Sequence, residues 1–355
     1  MDQTKEPGLL DFLAKEITLT AKFSKYIQKT MLKILQNYKL INSNLLLHNA
    51  RYFSSLNNNK LNPNYVSGFI DAEGCFHVSI IKSSTSKIGA YVRAIFQISL
   101  HKKDKVLLEK IRDFFEVGGV TIRSDGAVVY TVSSIKDLQI ILNHLETYPL
   151  ITDKWGDLQL FKQVVELMIN QEHLTMQGLT KIVNIKASMN FGTTPLSILS
   201  LFPVINPIKR PVRDDFTIYD PYWVVGYVEG EGMFFINIYK RKDTVLGEGV
   251  KLVFKITQDK RNLALLESFT NIYTVGKVYK QSPTVKVLDF MITGLVDITK
   301  YVIPFFQVHP LEGAKRDDFN DFVKVAELMK SKAHLNKDGL EQIRSIKSRM
   351  NSNRY

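Results

Sequence analysis

This chain carries the same text twice. The segment Gly68-Phe69-Ile70-Asp71-Ala72-Glu73-Gly74-Cys75-Phe76 returns in the second half as Gly226-Tyr227-Val228-Glu229-Gly230-Glu231-Gly232-Met233-Phe234. Phe96-Gln97-Ile98-Ser99 returns at the same offset as Phe254-Lys255-Ile256-Thr257. Further on, His173-Leu174, Gly178-Leu179, Ile185-Lys186 and Met189-Asn190 return as His334-Leu335, Gly339-Leu340, Ile346-Lys347 and Met350-Asn351, at a slightly longer offset. Three blocks repeated in one order exclude chance, and the small change in offset needs only loop insertions. A chain of 355 residues built this way folds as two like units.

Each unit reads in the same order. An apolar helix ends in an acid–Gly pair. Two strands with period-2 alternation follow, at 75–82 and 91–100, then at 233–241 and 249–258. A helix (104–116; 259–272) leads to a hairpin (118–133; 275–293), and Asp104 stands where it caps the first of those helices. Two more helices close the unit, at 153–170 and 175–190, then at 314–331 and 336–351. The class is α+β, with tandem αββαββα repeats and antiparallel sheets. The expected division is a leader over 1–60, a first repeat over 61–190, a linker over 191–220 and a second repeat over 221–355. The proline-rich linker, with its basic pair Lys209-Arg210, reads as ordered but irregular.

Charge narrows the partner. Lys plus Arg number 47 against 35 acids, a net +12, which is the footprint of a protein that meets polyphosphate. No apolar run reaches the roughly 18 residues that a membrane span needs. A single cysteine, Cys75, excludes an internal disulfide framework and a cysteine-based zinc cluster. From Ile17 to Ile70 there is no acid, while Lys22, Lys25, Lys29, Lys33, Lys39, Arg51 and Lys60 are basic. That composition fits an organelle-targeting segment or the read-through leader of an AT-rich organellar gene, and both place the protein in the mitochondrion.

Strand parity sorts the faces. Phe76, Val78 and Ile80 point one way, with Val92, Ala94, Phe96 and Ile98; Phe234, Ile236 and Ile238 do the same in the second unit. The opposite face carries Cys75, His77, Ser79, Arg93, Gln97 and Ser99, then Phe235, Asn237, Tyr239, Arg241, Lys251, Lys255 and Thr257. Arg123, Lys277 and Tyr279 extend it from the second hairpins. Arg, Gln and Asn match purine edges in a major groove, and Lys matches phosphate. The alternative for such a face is a sheet covered by another protein.

Val66-Ser67-Gly68-Phe69-Ile70-Asp71-Ala72-Glu73-Gly74 resembles the nine-residue signature of the LAGLIDADG homing endonucleases. Val224-Val225-Gly226-Tyr227-Val228-Glu229-Gly230-Glu231-Gly232 is a second, more divergent copy. The resemblance spans roughly 62–355 and implies a pseudo-twofold saddle with the two motif helices at its centre. Physically, Gly68 and Ala72, like Gly226 and Gly230, lie on one helix face and let two backbones pack closely. The helices then bring Glu73 and Glu231 together at their carbonyl ends. Two carboxylates and two negative dipole ends are mismatched to each other but well matched to hard divalent cations.

The resemblance implies two or three Mg2+ ions held by Glu73 and Glu231 with the carbonyls of Ala72 and Gly230. It also implies hydrolysis of both strands of duplex DNA across the minor groove, leaving short 3′ overhangs. Asp71 and Glu229 orient and cap. The resemblance gives Lys154 and Lys315 the role of stabilising the charged transition state, and Gln258 that of ordering the water shell. The first repeat departs from it with Leu100 in place of that glutamine. Cys75 and His77 lack a third orienting group and read as DNA contacts rather than a nucleophile pair, and His173 and His334 as structural. Differences such as Arg93 against Lys251, Gln97 against Lys255 and Ser79 against Asn237 imply a non-palindromic target and a protein that acts as a monomer. The rivals on the same scaffold are an RNA maturase bound to its intron RNA and a regulator that binds DNA without cutting it.

Overall fold

The computed structural model describes residues 60–192, 202, 204–280, 286–351 and 354. The expected leader lies, but for Lys60, outside the described residues. The first repeat runs α1 (Pro63–Glu73), β1 (Gly74–Lys82), β2 (Ala90–His101), a one-turn 3-10 helix (Lys102–Asp104), α2 (Lys105–Phe115), β3 (Gly119–Ile122), β4 (Ala127–Val132), α3 (Ile135–Thr147), α4 (Lys154–Ile169) and α5 (Met176–Lys186). The second runs α6 (Pro221–Glu231), β5 (Gly232–Lys240), β6 (Glu248–Asp259), a one-turn 3-10 helix (Lys260–Asn262), α7 (Leu263–Tyr273), β7 (Lys277–Lys280), β8 (Val287–Ile292), a helical run α8 (295–308), α9 (Lys315–Lys330) and α10 (Lys337–Ser348).

Local chemistry explains how α1 starts and stops. Pro63 occupies the first helical turn, where its missing N–H is no loss. Asn62 Oδ1 accepts from Asn64 N at 2.8 Å. At the far end Gly74 turns the chain straight into β1. A methyl group on Gly74 would lie 2.7 Å from Ile70 O, so only glycine fits this abrupt helix-to-strand corner. Asp220 and Gly232 do the same work for α6.

Both sheets are antiparallel and four-stranded, ordered β1-β2-β4-β3 and β5-β6-β8-β7. The register pairs Cys75 with Gln97 and Ser79 with Arg93; its counterpart pairs Met233 with Lys255 and Asn237 with Lys251. Helices cover one face of each sheet. Phe76 packs on Phe96 and Phe161, and Phe234 on Phe254 and Phe322, with ring centroids 5.4 Å apart in each pair. Tilted aromatic pairs at such spacing add to what area burial alone provides. The inward set of the parity reading is buried, Ile238 excepted, which is half-buried.

Three expectations change. A helix follows each second hairpin, α3 and α8, which the sequence pattern does not announce. In α8 the helix widens to a π-turn at Ile298–Val302 directly before Pro304, whose ring offers no backbone donor. Asp104 makes no capping bond to α2; its carboxylate is used elsewhere. Arg241 falls just past the end of β5 and pairs with Asp243 in the turn. Of the expected linker, 191–192 finish a 3-10 turn (Asn190–Gly192), and 202 and 204–220 have no regular secondary structure.

Candidate active site and nucleic-acid interface

The site begins with two helices in backbone contact. A methyl group on Gly68 would lie 2.0 Å from Trp223 O, one on Gly226 2.0 Å from Tyr65 O, and one on Gly230 2.5 Å from Ala72 Cβ. Side chains larger than hydrogen at the two crossing points would separate α1 from α6. The small-residue reading of both motifs therefore holds.

The first acid of each motif fastens this crossing. Asp71 is buried and accepts from Ile151 N at 2.6 Å, Thr152 N at 3.2 Å and Thr152 Oγ1 at 2.6 Å. A fourth donor, Trp223 Nε1 at 3.0 Å, comes from the other repeat. Glu229 mirrors it, accepting from Glu312 N at 2.8 Å and, across the crossing, from Tyr65 OH at 3.2 Å. Tyr65 and Trp223 occupy equivalent places, each three residues before the first glycine of its motif, so the exchange is reciprocal.

The second acids remain for chemistry. Glu73 and Glu231 are half-buried at the last residues of α1 and α6. Burial raises both above the ordinary glutamate range, and the Glu73 charge raises Glu231 further. Opposing that rise are Lys154 and Lys315. Lys154 Nζ donates to Ile70 O and Ala72 O, each at 3.1 Å. Lys315 Nζ donates to Val228 O and Gly230 O, each at 3.0 Å, and to Gly232 O. Each lysine thus fills the carbonyl end of a motif helix, where positive charge is favoured. Burial pulls both ammonium groups below the usual lysine range, opposed by Asp71, Glu73 and Glu231 around Lys154 and by Glu229, Glu73 and Glu231 around Lys315.

The Ala72 and Gly230 carbonyls, expected as metal ligands, already accept these lysines; a carbonyl oxygen has a second lone pair left for an ion. Among the described residues no three His, Cys, Asp or Glu side chains cluster at metal-binding distance. A cation here would take two carboxylates and complete its shell with carbonyl, water or phosphate oxygen. That donor set fits a hard ion such as Mg2+, which keeps several waters. Gln258 stands close enough to Glu231 to oppose its upward shift, and its Oε1 accepts from Asn262 Nδ2 at 3.0 Å.

Sequence reasoning missed the clamps around the lysine helices. Arg210 of the linker binds Asp153 Oδ1 at 2.9 Å and both carboxyl oxygens of Asp157 at 3.2 Å. Arg354 holds Asp318 at 2.8 Å in the second repeat. Asn190 and Asn351, both at positive φ, donate side-chain N–H to Phe76 O at 2.8 Å and Phe234 O at 3.3 Å, which ties α5 and the turn after α10 to the edge strands. The Met-Asn doublet was the available signal.

The open sheet faces carry the expected readers. Arg93, Ser99, Lys251, Lys277, Tyr279 and Tyr239 are exposed; Cys75, His77, Ser79, Gln97, Phe235 and Asn237 are half-exposed. Arg123 is exposed in a hairpin turn, paired with Asp125 at 2.7 Å. Lys255 and Thr257 share an acid: Asp289 Oδ1 lies 3.7 Å from Lys255 Nζ and accepts from Thr257 Oγ1 at 2.6 Å. The first repeat has Val129 at the position of Asp289.

Paired acids on two packed glycine-lined helices, flanked by lysines and joined to two four-stranded antiparallel sheets, define a two-repeat α+β scaffold. The LAGLIDADG endonuclease family model matches residues 66–165 and 224–326. The chain belongs to that family. It is 39% identical over 302 residues to "Probable intron-encoded endonuclease 2" of Neurospora crassa, and 37% over 295 residues to "Probable intron-encoded endonuclease 3" of the same fungus. These cover 81% and 82% of the chain but 65% and 55% of the relatives, so the chain spans less than two thirds of their length. Among solved structures, the I-SmaMI LAGLIDADG homing endonuclease bound to cleaved DNA matches with TM-score 0.81 at 40% identity, over 84% of this chain and 99% of that one. The same endonuclease on uncleaved DNA target with calcium ions matches with TM-score 0.79 at 40% identity, over 82% and 99%.

Proposed function

We propose that this chain is a site-specific homing endonuclease that cuts both strands of a long, non-palindromic duplex target and so promotes mobility of its own intron. The observation that carries this reading is the meeting of Glu73 and Glu231 at the ends of two helices in backbone contact. Two half-buried like charges oppose one another unless a cation joins them. Two or three Mg2+ ions shared with the scissile phosphates would supply Lewis acidity and an activated water. Lys154 and Lys315 lie beside both acids and offset charge that develops on phosphate oxygens. Gln258 orders the Glu231 side only, since Leu100 stands opposite. Asp71 and Glu229 keep the crossing fixed and leave Glu73 and Glu231 free for metal.

The sheets read the target. Arg93, Gln97 and Asn237 contact base edges, Lys251 and Lys277 contact phosphate, and Asp289 holds Lys255 and Thr257 in one arrangement. Unlike readers in the two halves make the half-sites unlike. The protein acts as a monomer, because both acids lie in one chain, and its fungal, intron-encoded relatives support a mitochondrial setting. The test is cleavage of a randomised duplex library with Mg2+ by wild type and by Glu73→Gln. The variant should bind the selected duplex and leave it intact; a wild type that binds without cutting at any Mg2+ concentration refutes the reading.

A further inference from the structure

The residue at the N-cap of each lysine helix leaves the helix start to other groups. α4 opens at Asp153 and α9 at Ala314, and neither residue's side chain bonds the helix start. Backbone N–H groups there lack partners inside the helix and need acceptors from outside. Lys154 N finds Thr152 Oγ1 of its own repeat at 3.1 Å, but the amide one residue earlier in each lysine helix finds its acceptor in the opposite repeat. Asn262 Oδ1 accepts from Asp153 N at 3.0 Å, and Asp104 Oδ1 accepts from Ala314 N at 3.2 Å. The two acceptors are repeat equivalents, each closing the 3-10 turn after the second strand of its repeat. Lys154 and Lys315 are the next residues after the bonded amides.

The geometry points to Asn262 and Asp104 as positioning residues that act across the repeat boundary, Asn262 on Lys154 and Asp104 on Lys315. This rests on the nuclease reading above. A lysine stem is long and flexible, so the place of Nζ depends on where its helix starts. Both Nζ atoms bridge carbonyls at the end of a motif helix, beside the acids. Misplacing a group by about 1 Å next to reacting atoms slows a reaction on the order of 100-fold. Asn262 has a second hold: its amide donates to Gln258 Oε1 at 3.0 Å, which joins the first repeat's lysine helix to the glutamine beside Glu231. Asp104 has no amide to give and places a carboxylate near Lys315 instead. Other ties cross the same boundary, Arg261 to Asp153 at 2.9 Å and Lys110 to Glu312 at 2.8 Å, so losing one acceptor leaves the halves docked.

Single-turnover cleavage and equilibrium binding on one duplex recovered from the library test this. Removing the acceptor in Asn262→Ala or Asp104→Ala should slow cleavage about tenfold or more while Kd stays within about twofold. Asp104→Asn keeps the acceptor oxygen and should stay near wild type. In a Lys154→Ala background, Asn262→Ala should add nothing to the loss, because both act through one ammonium group. Wild-type rates in both alanine variants, a fully additive double variant, or loss of binding in step with cleavage would each overturn the proposal. If wild type cuts nothing, the nuclease reading fails on its own account. The Nζ resonance of isotope-labelled Lys154 then decides: displaced in Asn262→Ala, it sustains the positioning; unmoved, it overturns it.

Discussion

The two repeats share a plan and differ in the groups that execute it. At the helix crossing the first repeat offers Asp71 and receives an indole N–H from Trp223; the second offers Glu229 and receives a phenol from Tyr65. The lysine helix of one half is held by a linker arginine, Arg210, and that of the other by Arg354 near the end of the chain. Under the sheets, His144 of the first repeat packs edge-on against Phe114 and Phe115 and tilted against Tyr148, whereas the second repeat sets Phe305 against Tyr273, Phe306 and His309. Duplication preserved backbone positions and let side chains drift wherever a different group could fill the same space. The halves stay identical at Glu73 and Glu231, at Lys154 and Lys315, and at Gly68 and Gly226, where a methyl group on either helix would meet a backbone oxygen at 2.0 Å.

The most severe way to break the pairing is at the identical acids. Glu73→Gln and Glu231→Gln each remove one charge and keep the shape. Single-turnover cleavage should fall by about a thousandfold or more in each, with Kd for the duplex little changed, as loss of a metal-holding group predicts. If only one variant is inactive, the two acids are not equivalent and the shared-ion picture is wrong.

The crossing itself is the next target. Gly226→Ala drives a methyl group to 2.0 Å from a backbone carbonyl, which no side-chain rotation relieves. Alanine gains up to about 1 kcal/mol of helix propensity over glycine, but overpacking of this kind costs about 3 kcal/mol or more, so the variant should be destabilised. Gly119→Ala is the control: nothing lies within 4 Å of its added methyl group. Denaturant unfolding that ranks the two variants equally would mean that α1 and α6 separate easily.

The His144 and Phe305 exchange makes a pH test. Ser67 Oγ donates its one proton to Tyr148 O at 2.7 Å. At the 3.0 Å contact with that hydroxyl, His144 Nε2 is therefore the donor. Burial holds its pKa down at about 4. As pH falls below the unfolded value of about 6.5, the unfolded chain takes up a proton that the folded one refuses. Stability is therefore lost progressively from about pH 6.5 towards about pH 4, by about 2 kcal/mol at pH 5. His144→Phe, which copies the second repeat, should flatten that limb. An unchanged acid limb in the variant would place the sensitivity elsewhere.

Most of the fold is readable because both halves obey period-2 and helical patterning and each copy corrects the other. The motif acids, the lysines and the small residues of the crossing stand out for the same reason. The α3 and α8 helices escape notice because they follow the second hairpins after very short turns, and α8 is further interrupted by Pro304. Asp104 misleads because a capping residue looks the same in sequence whether it serves its own helix or one from the other repeat. Arg210 cannot be recognised at all: an arginine in a linker declares its partner only once the chain has brought Asp153 and Asp157 beside it.

The finest comparison is between the two exchanged donors. Trp223→Phe removes one of four bonds to Asp71, while Tyr65→Phe removes one of the few bonds to Glu229. A neutral donor to a carboxylate is worth about 1.5–3 kcal/mol, and more is lost when the buried acceptor has few others. Trp223 also stacks on Tyr227 with ring centres 4.8 Å apart, so its phenylalanine variant gives up packing as well as a bond. Tyr65→Phe gives up a hydroxyl alone. Counting bonds makes the Glu229 side the more sensitive; counting buried area makes the Trp223 side so. Burial is worth roughly 25 cal/mol per Å2 of apolar surface, and an indole exceeds a phenyl ring by several tens of Å2. That contribution reaches about 1 kcal/mol on top of the bond, so Trp223→Phe should be the less stable by about 1 kcal/mol in paired urea melts. Should Tyr65→Phe prove the weaker protein, satisfaction of Glu229 outweighs packing at the crossing.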